Sequence, residues 1–165
     1  RFLKRKVKIT LGMVVAFLIT GAVGYGADDI AAQGQKKSYT DISGNPKIIG
    51  GWNYTKDSED KNVDHSETNT NITLTSGDAD ELIGGNHLKD TGSIDTYISK
   101  IGNTSVTMTG GTVQYLIGGT KSNGTKADIT NGKTKVIVNG GTIGDTRPNV
   151  ANAGLIGGNY IKSTY

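Results

Sequence analysis

The chain has no cysteine, which excludes a disulfide framework, a thiolate metal site and the modified cysteine that anchors a bacterial lipoprotein. Hydrophobic residues make up 34% and aromatic residues 6% of its 165 residues, too little apolar bulk for a generous globular core. A basic surface is missing once the first ten residues are set aside. Arg1, Lys4, Arg5, Lys6 and Lys8 lie there, and every acidic residue lies at Asp28 or beyond. Without those five, 13 of the 18 basic residues face 15 acidic ones, a balance of −2. Such a surface speaks against nucleic acid as a partner, because phosphate binding needs a basic stripe. A membrane-spanning run is also missing. The apolar stretch Leu11 to Val23 is shorter than the roughly 18–20 residues a spanning helix needs, and Gly12 and Gly21 interrupt it.

What the amino terminus does carry is the pattern of a secretory signal peptide, residues 1–27, expected as a helix. The basic segment Arg1 to Lys8 precedes the apolar segment, and small residues follow at Ala22, Gly24, Gly26 and Ala27. Cleavage after Gly24 or Gly26 satisfies the small-x-small rule. Residues 28–37 are polar and weakly patterned, and read as a flexible leader. Because the first residue is Arg1 and the last lies just beyond a repeat, the sequence is expected to be the N-terminal piece of something longer.

Glycine, with 25 residues, is abundant, and it is periodic. Ile48-Ile49-Gly50-Gly51 returns as Leu82-Ile83-Gly84-Gly85, Leu116-Ile117-Gly118-Gly119 and Leu155-Ile156-Gly157-Gly158, at spacings of 34, 34 and 39 residues. A fixed period of this size marks a repeat architecture. The paired apolar residues predict a short buried strand. The eight glycines are expected as structural turns, through positive φ or through close backbone approach without a Cβ, and Gly84 and Gly118 are candidates for the left-handed conformation.

A second segment precedes the last three copies. Ile72-Thr73-Leu74-Thr75-Ser76-Gly77 matches Val106-Thr107-Met108-Thr109-Gly110-Gly111 and Val136-Ile137-Val138-Asn139-Gly140-Gly141, with the period-two alternation of a strand. Tyr39-Thr40-Asp41-Ile42-Ser43-Gly44 reads as a degraded first version. Units therefore fall near 38–69, 70–103, 104–133 and 134–165, the whole forming a β-repeat region over 38–165. Stacked in parallel, they place Leu82, Leu116 and Leu155 above one another, and likewise Ile72, Val106 and Val136. Thr55–Asn69 and Lys121–Lys133 read as polar loops outside the stack, and Ser93–Ile98 as an additional strand. The longer third spacing is assigned to extra residues around Gly144 to Ala153, with Arg147-Pro148 at a loop tip. The fold class expected is all-β: a parallel β-solenoid, or β-helix-like, repeat.

Chemistry is sparse. His65 and His87 lack a His or Cys partner in sequence reach and read as solvent-exposed side chains, not metal ligands. Asp57-Ser58-Glu59-Asp60 and Asp78-Ala79-Asp80-Glu81 fit neither an EF-hand nor a calcium nonapeptide, and read as solvated loops. The Asn-x-Ser/Thr sequons at Asn53, Asn71, Asn103 and Asn123 carry little information in a chain rich in both residues. Trp52, Tyr54, Tyr97, Tyr115 and Tyr160 flank glycine turns, where packing is expected before sugar stacking. No catalytic arrangement can be placed, since beyond the signal region the chain has one arginine, Arg147, and no nucleophile elbow. No enzymatic activity, cofactor or metal is expected.

The signal peptide followed by Thr104-Ser105-Val106-Thr107-Met108-Thr109-Gly110-Gly111-Thr112-Val113 and Thr134-Lys135-Val136-Ile137-Val138-Asn139-Gly140-Gly141-Thr142-Ile143 resembles the passenger regions of bacterial autotransporter (type V secretion) adhesins. The resemblance implies a parallel β-solenoid displayed at the cell surface or outer membrane, or released outside the cell, with a structural or adhesive role. It implies a host-cell or bacterial-surface receptor or glycan as partner. Membrane contact is implied only during export or through a C-terminal β-barrel, which these 165 residues do not include. The alternative is the N-terminal part of a secreted carbohydrate-processing enzyme on a β-helix scaffold.

Overall fold

The period that the sequence repeats is the period of the strands. A computed structural model describes residues 29–54, 62–89, 97–123, 127–144 and 153–161. The signal-peptide segment, the acidic run Asp57 to Asp60 and the Arg147-Pro148 tip lie outside these residues. The first strand, β1 (Ile30–Ala31), is followed by four rounds of strands. The first round holds β2 (Lys37–Tyr39), β3 (Lys47–Ile49), β4 (Asn53–Tyr54) and β5 (Asn62–His65). The second holds β6 (Thr70–Leu74), β7 (Asp78–Ile83), β8 (His87–Leu88) and β9 (Tyr97–Ile101), and the third β10 (Thr104–Met108), β11 (Thr112–Ile117), β12 (Lys121–Ser122) and β13 (Ala127–Asn131). The last holds β14 (Thr134–Val138), β15 (Thr142–Ile143), β16 (Gly154–Ile156) and β17 (Tyr160–Ile161).

Each strand pairs with its counterparts in the neighbouring rounds, always in parallel, and among the described residues there is no helix. Four sheets result, which the chain visits in a constant order. Sheet A holds β2, β6, β10 and β14, and sheet B holds β1, β3, β7, β11, β15 and β16. Sheet C holds β4, β8, β12 and β17, and sheet D holds β5, β9 and β13. The architecture is all-β, parallel and β-helix-like. The expected columns form: Leu116 is in register with Leu82 and Leu155, and Val106 with Ile72 and Val136.

Two apolar cores follow from the alternation. In β3, β7 and β11 the penultimate residue (Ile48, Leu82, Leu116) enters a core shared with Ile72, Leu74, Val106 and Met108 of sheet A. The last residue (Ile49, Ile83, Ile117) points the other way, into a second cluster with Tyr115, Ile156 and Tyr160. A Leu-Ile pair thus serves both faces of sheet B. With each side chain fully buried, such a residue contributes roughly 1.5–3 kcal/mol. Interior threonines close the remaining gap: Thr70 and Thr104 hydroxyls donate to the Gly84 and Gly118 carbonyls at 2.5 and 2.6 Å.

Several expectations are corrected. Gly84 and Gly118 do not adopt positive φ; left-handed glycines stand instead where sheet A turns into sheet B, at Gly44, Gly77, Gly111 and Gly141, with φ 83°, 91°, 83° and 93°. The Leu-Ile-Gly-Gly glycines serve close approach instead. A Cβ on Gly50 would collide with the Gly84 carbonyl oxygen, one on Gly84 with that of Gly118, and one on Gly118 would lie 2.5 Å from that of Gly157. Thr55–Asn69 and Lys121–Lys133 are not wholly outside the stack: β5, β12 and β13 fall within them, and Lys121 and Ser122 are buried. Of the strand placed at Ser93–Ile98, Tyr97 and Ile98 open β9, and residues 93–96 lie outside the described residues. The stretch read as a flexible leader carries β1, which pairs with β3, and Lys37 opens β2. The degraded first unit is two residues out of the assumed alignment, because Tyr39 pairs with Leu74 and Ile42 bridges Gly77.

Candidate functional site

Past each Gly-Gly bend the chain enters sheet C, and the 34-residue period continues through it. Asn53, His87, Lys121 and Tyr160 form one column. Lys47, Glu81, Tyr115 and Gly154 form the facing column at the end of sheet B. Because the bend folds sheet C back over sheet B, the two columns meet, and a charged cluster results. The Lys121 ammonium donates to Glu81 Oε1, with only 10% and 6% of their side chains exposed. Lys47 Nζ lies 2.9 Å from Asp80 Oδ2 and 3.8 Å from Glu81 Oε1. Lys121 Nζ also lies 5.7 Å from the centre of the Tyr160 ring, and Tyr160 lies 6.3 Å from Tyr115, ring centre to ring centre.

This is where the sequence expectation about His87 fails. Its side chain is 0% exposed. Burial, followed by the Lys121 charge, lowers its pKa to about 4, so the imidazole is neutral at neutral pH. Its Nδ1 and the Glu81 Oε2 are buried without a hydrogen-bond partner among the described residues. Burial also works against the Lys47 ammonium, but the bond to Asp80 and the charges of Glu81, Asp80 and Asp29 outweigh it and raise its pKa. Asp78, Asp80 and Glu81 therefore sit on strand β7, not in a solvated loop, and two of the three are paired with lysines. His65 is likewise not free in solvent: its ring stacks on Trp52 at 3.6 Å and its Nε2 lies 2.9 Å from the Tyr54 hydroxyl. Trp52 and Tyr54, two of the aromatics weighed for sugar stacking, are thereby engaged inside the fold.

The eight glycines divide. Gly50, Gly51, Gly84, Gly85, Gly118 and Gly119 are buried at the bends, whereas Gly157 and Gly158 are exposed. Beside the bends runs a ladder in which each round's backbone meets the next round's side chain. Trp52 N–H donates to Asn86 Oδ1 at 3.0 Å, Asn86 N–H to Thr120 Oγ1 at 3.1 Å, and Thr120 N–H to Asn159 Oδ1 at 2.9 Å. A second asparagine ladder lies at the seam of sheets D and A. Asn103 N–H donates to Asn69 Oδ1 at 2.7 Å and Lys133 N–H to Asn103 Oδ1 at 2.8 Å.

Two open hollows share that seam. One, of about 420 Å³, is bordered by Lys36, Asn71, Ser105, Lys133 and Lys135; the other, of about 450 Å³, by Ser66, Glu67 and Thr130. Asn69 and Asn103 line both. Amides, hydroxyls and ammoniums at the mouth of a shallow groove can hydrogen-bond a hydroxyl-rich or anionic ligand. The buried charge cluster holds its groups in pairs away from both hollows. Among the described residues no three His, Asp or Glu side chains converge as a metal site.

Compared with family models, curated proteins and solved structures, the chain matches none. The chemistry of the site therefore rests on its own residues. Sequence reasoning missed the Glu81–Lys121 pair and the seam groove. A signal was available: carrying the 34-residue alignment two residues past the glycines sets His87 and Lys121 in one column, as it sets Glu81 over Lys47 just before them.

Proposed function

We propose that this is an exported structural or adhesive protein, a parallel β-solenoid displayed at the cell surface or outer membrane or released, and the start of an autotransporter passenger. The observation that supports this most is the one-to-one register of equivalent residues through successive rounds in every sheet. Such a stack buries its core between rounds and leaves a long outer surface for contact, as repeat proteins do. In this reading the seam groove binds the receptor, a surface glycan, or both. Lys36, Lys133 and Lys135 carry its charge, and Asn69 and Asn103 hold its shape. The shallowness of the groove suits many weak hydrogen bonds along an extended ligand more than deep enclosure of a small one.

The test is binding of the purified protein to host-cell and bacterial-surface glycans, compared with a Lys133→Glu/Lys135→Glu variant. Both lysines are exposed, so the fold should persist. Saturable binding that falls at least tenfold in the variant, with an unchanged circular dichroism spectrum, supports the groove. Hydrolysis or elimination of a bound glycan by the wild-type protein would overturn the adhesive reading in favour of an enzyme.

A further inference from the structure

The described residues include eight lysines, and the fold treats them in two ways. Lys47, Lys89, Lys100 and Lys121 each form an ion pair, with Asp80, Asp29, Asp64 and Glu81 respectively. Lys36, Lys37, Lys133 and Lys135 have no acidic partner among the described residues. Three of these four, Lys36, Lys133 and Lys135, border the hollow of about 420 Å³ at the seam, and no Asp or Glu lines it. The overall charge does not explain this gathering, since beyond the first ten residues the acids outnumber the bases. A cleft lined by one sign of charge concentrates ligands of the other sign.

Strand alternation turns these lysines outward, sideways from the stack and not along its axis. On β14, Val136 packs against the core shared by sheets A and B, so Lys135, one residue before it, projects from the opposite face. Lys135 is in column with Asn71 and Ser105 of the two preceding rounds. Lys36 stands at the head of that column, because the next residue, Lys37, is paired with Ile72. Lys133 continues the neighbouring column of Asn69 and Asn103, in which each side-chain oxygen accepts the next round's N–H. Those bonds leave the two amide NH2 groups as donors at the hollow. Lys36 and Lys135 are three strand spacings apart, about 14 Å along the stack, with amides and hydroxyls between them.

We propose that this hollow binds an acidic polysaccharide, a sugar chain carrying carboxylate or sulfate groups, laid along the stack. The anionic groups meet the lysines at either end. Sugar hydroxyls between them exchange hydrogen bonds with Asn71, Asn103 and Ser105. The inference rests on the reading of this groove as the binding surface, and it narrows the ligand from any surface glycan to an anionic one. The lining also separates this ligand from other polyanions. Protein partners are held chiefly by aromatic, apolar and arginine anchors, and single-stranded nucleic acid by aromatic platforms. None of these side chains lines the hollow.

The experiment titrates the purified protein into fluorescent oligogalacturonate, sulfated dextran, neutral dextran and polyglutamate, and reads anisotropy. Saturable binding is expected for oligogalacturonate, sulfated dextran or both, which identifies the anionic group. It should weaken at least about tenfold in a Lys36→Gln/Lys135→Gln variant, and it should weaken as salt is raised. Lys100→Gln removes an exposed lysine outside the hollow and should leave binding unchanged. The circular dichroism of each variant should match that of the parent. Neutral dextran or polyglutamate binding as tightly as the acidic sugars would overturn the inference. So would an equal loss in Lys100→Gln, or no saturable binding up to millimolar sugar. Attachment to host and bacterial cells, read on the same preparations, separates this inference from the reading beneath it. Cell attachment that depends on Lys133 and Lys135 without acidic-sugar binding sinks the inference and leaves the adhesive reading standing. Acidic-sugar binding without cell attachment does the reverse.

Discussion

Replacing Gly84 by alanine tests the bend directly. The added methyl would collide with the Gly118 carbonyl oxygen and would lie 2.7 Å from Val106 Cγ2 and 3.0 Å from the Gly118 carbonyl carbon. Two of these three neighbours are backbone, which cannot rotate away. The rounds must part locally. Overpacking of this kind costs about 1–3 kcal/mol. Parting the bend also stretches the 2.8 Å bonds from Gly84 N–H to Ile117 O and from Gly85 N–H to Gly119 O, each worth about 1 kcal/mol. The expected loss is about 3–5 kcal/mol, a large share of the 5–15 kcal/mol typical of a folded domain. Because stability in stacked repeats is carried by neighbouring interfaces, the loss should reach rounds on both sides. Gly157→Ala is the control: nothing lies within 4 Å, so its effect should stay within about 0.5 kcal/mol. Urea unfolding followed by the strand signal in circular dichroism measures both. A cost below about 1 kcal/mol for Gly84→Ala, or equal costs for the two variants, would refute the close-approach account.

Lowering the pH should destabilise the fold through His87. Its folded pKa, about 4, lies below the ordinary 6.5, so between these values the unfolded chain binds a proton that the folded chain does not. Stability is then full above pH 6.5 and falls by about 3 kcal/mol as the pH drops toward 4, with no further loss from this group below that. His65, also shifted downward by burial, adds a smaller effect of the same sign, and His87→Gln should flatten the profile measured by urea midpoints across this range. Lys121→Met leaves the Glu81 carboxylate buried with Lys47 as its remaining cation at 3.8 Å, and should cost about 3–5 kcal/mol; adding Glu81→Gln should restore much of it, as equilibrium unfolding of the single and double variants would show. Trp52→Ala removes the stack on His65 from a half-buried position and should cost about 1–2 kcal/mol in the same assay. An effect under about 0.5 kcal/mol would mean that the Trp52–His65 stack does not hold the fold.

The parts legible in the sequence were those where burial forces a pattern. Ile72, Val106 and Val136, and Leu82, Leu116 and Leu155, repeat because each sits over an equivalent apolar neighbour, and that requirement writes itself into the spacing. Sheet D was not legible as a whole. Its strands Asn62–His65 and Ala127–Asn131 are mostly polar, since their stability comes from ladder hydrogen bonds more than from a hydrophobic face. Polar strands look like loops when periodic hydrophobicity is the criterion. The glycines of the repeat meet two different needs. Gly77 needs its left-handed φ, whereas Gly84 needs only the absence of a side chain, and a lone sequence does not separate the two. His87 looked exposed because no partner lies near it in sequence. Its burial and its charged surroundings come mainly from Lys121, one full round later, and from Asp29 and Lys47 across the bend, with Lys89 two residues on.

The central claim is parallel stacking in a single register, and paired cysteines test it most directly because the chain has none of its own. Thr73 and Thr107 are register partners on β6 and β10, and both are partly exposed. Neighbouring strands lie about 4.8 Å apart, within the Cα separation a disulfide accepts. Thr73 and Ser105 are offset by two residues, about 8 Å apart, beyond that range. Under mild oxidation the Thr73→Cys/Thr107→Cys protein should cross-link rapidly and completely, and the Thr73→Cys/Ser105→Cys protein slowly or not at all. Equal rates, or faster closure of the offset pair, would contradict the register on which the account stands.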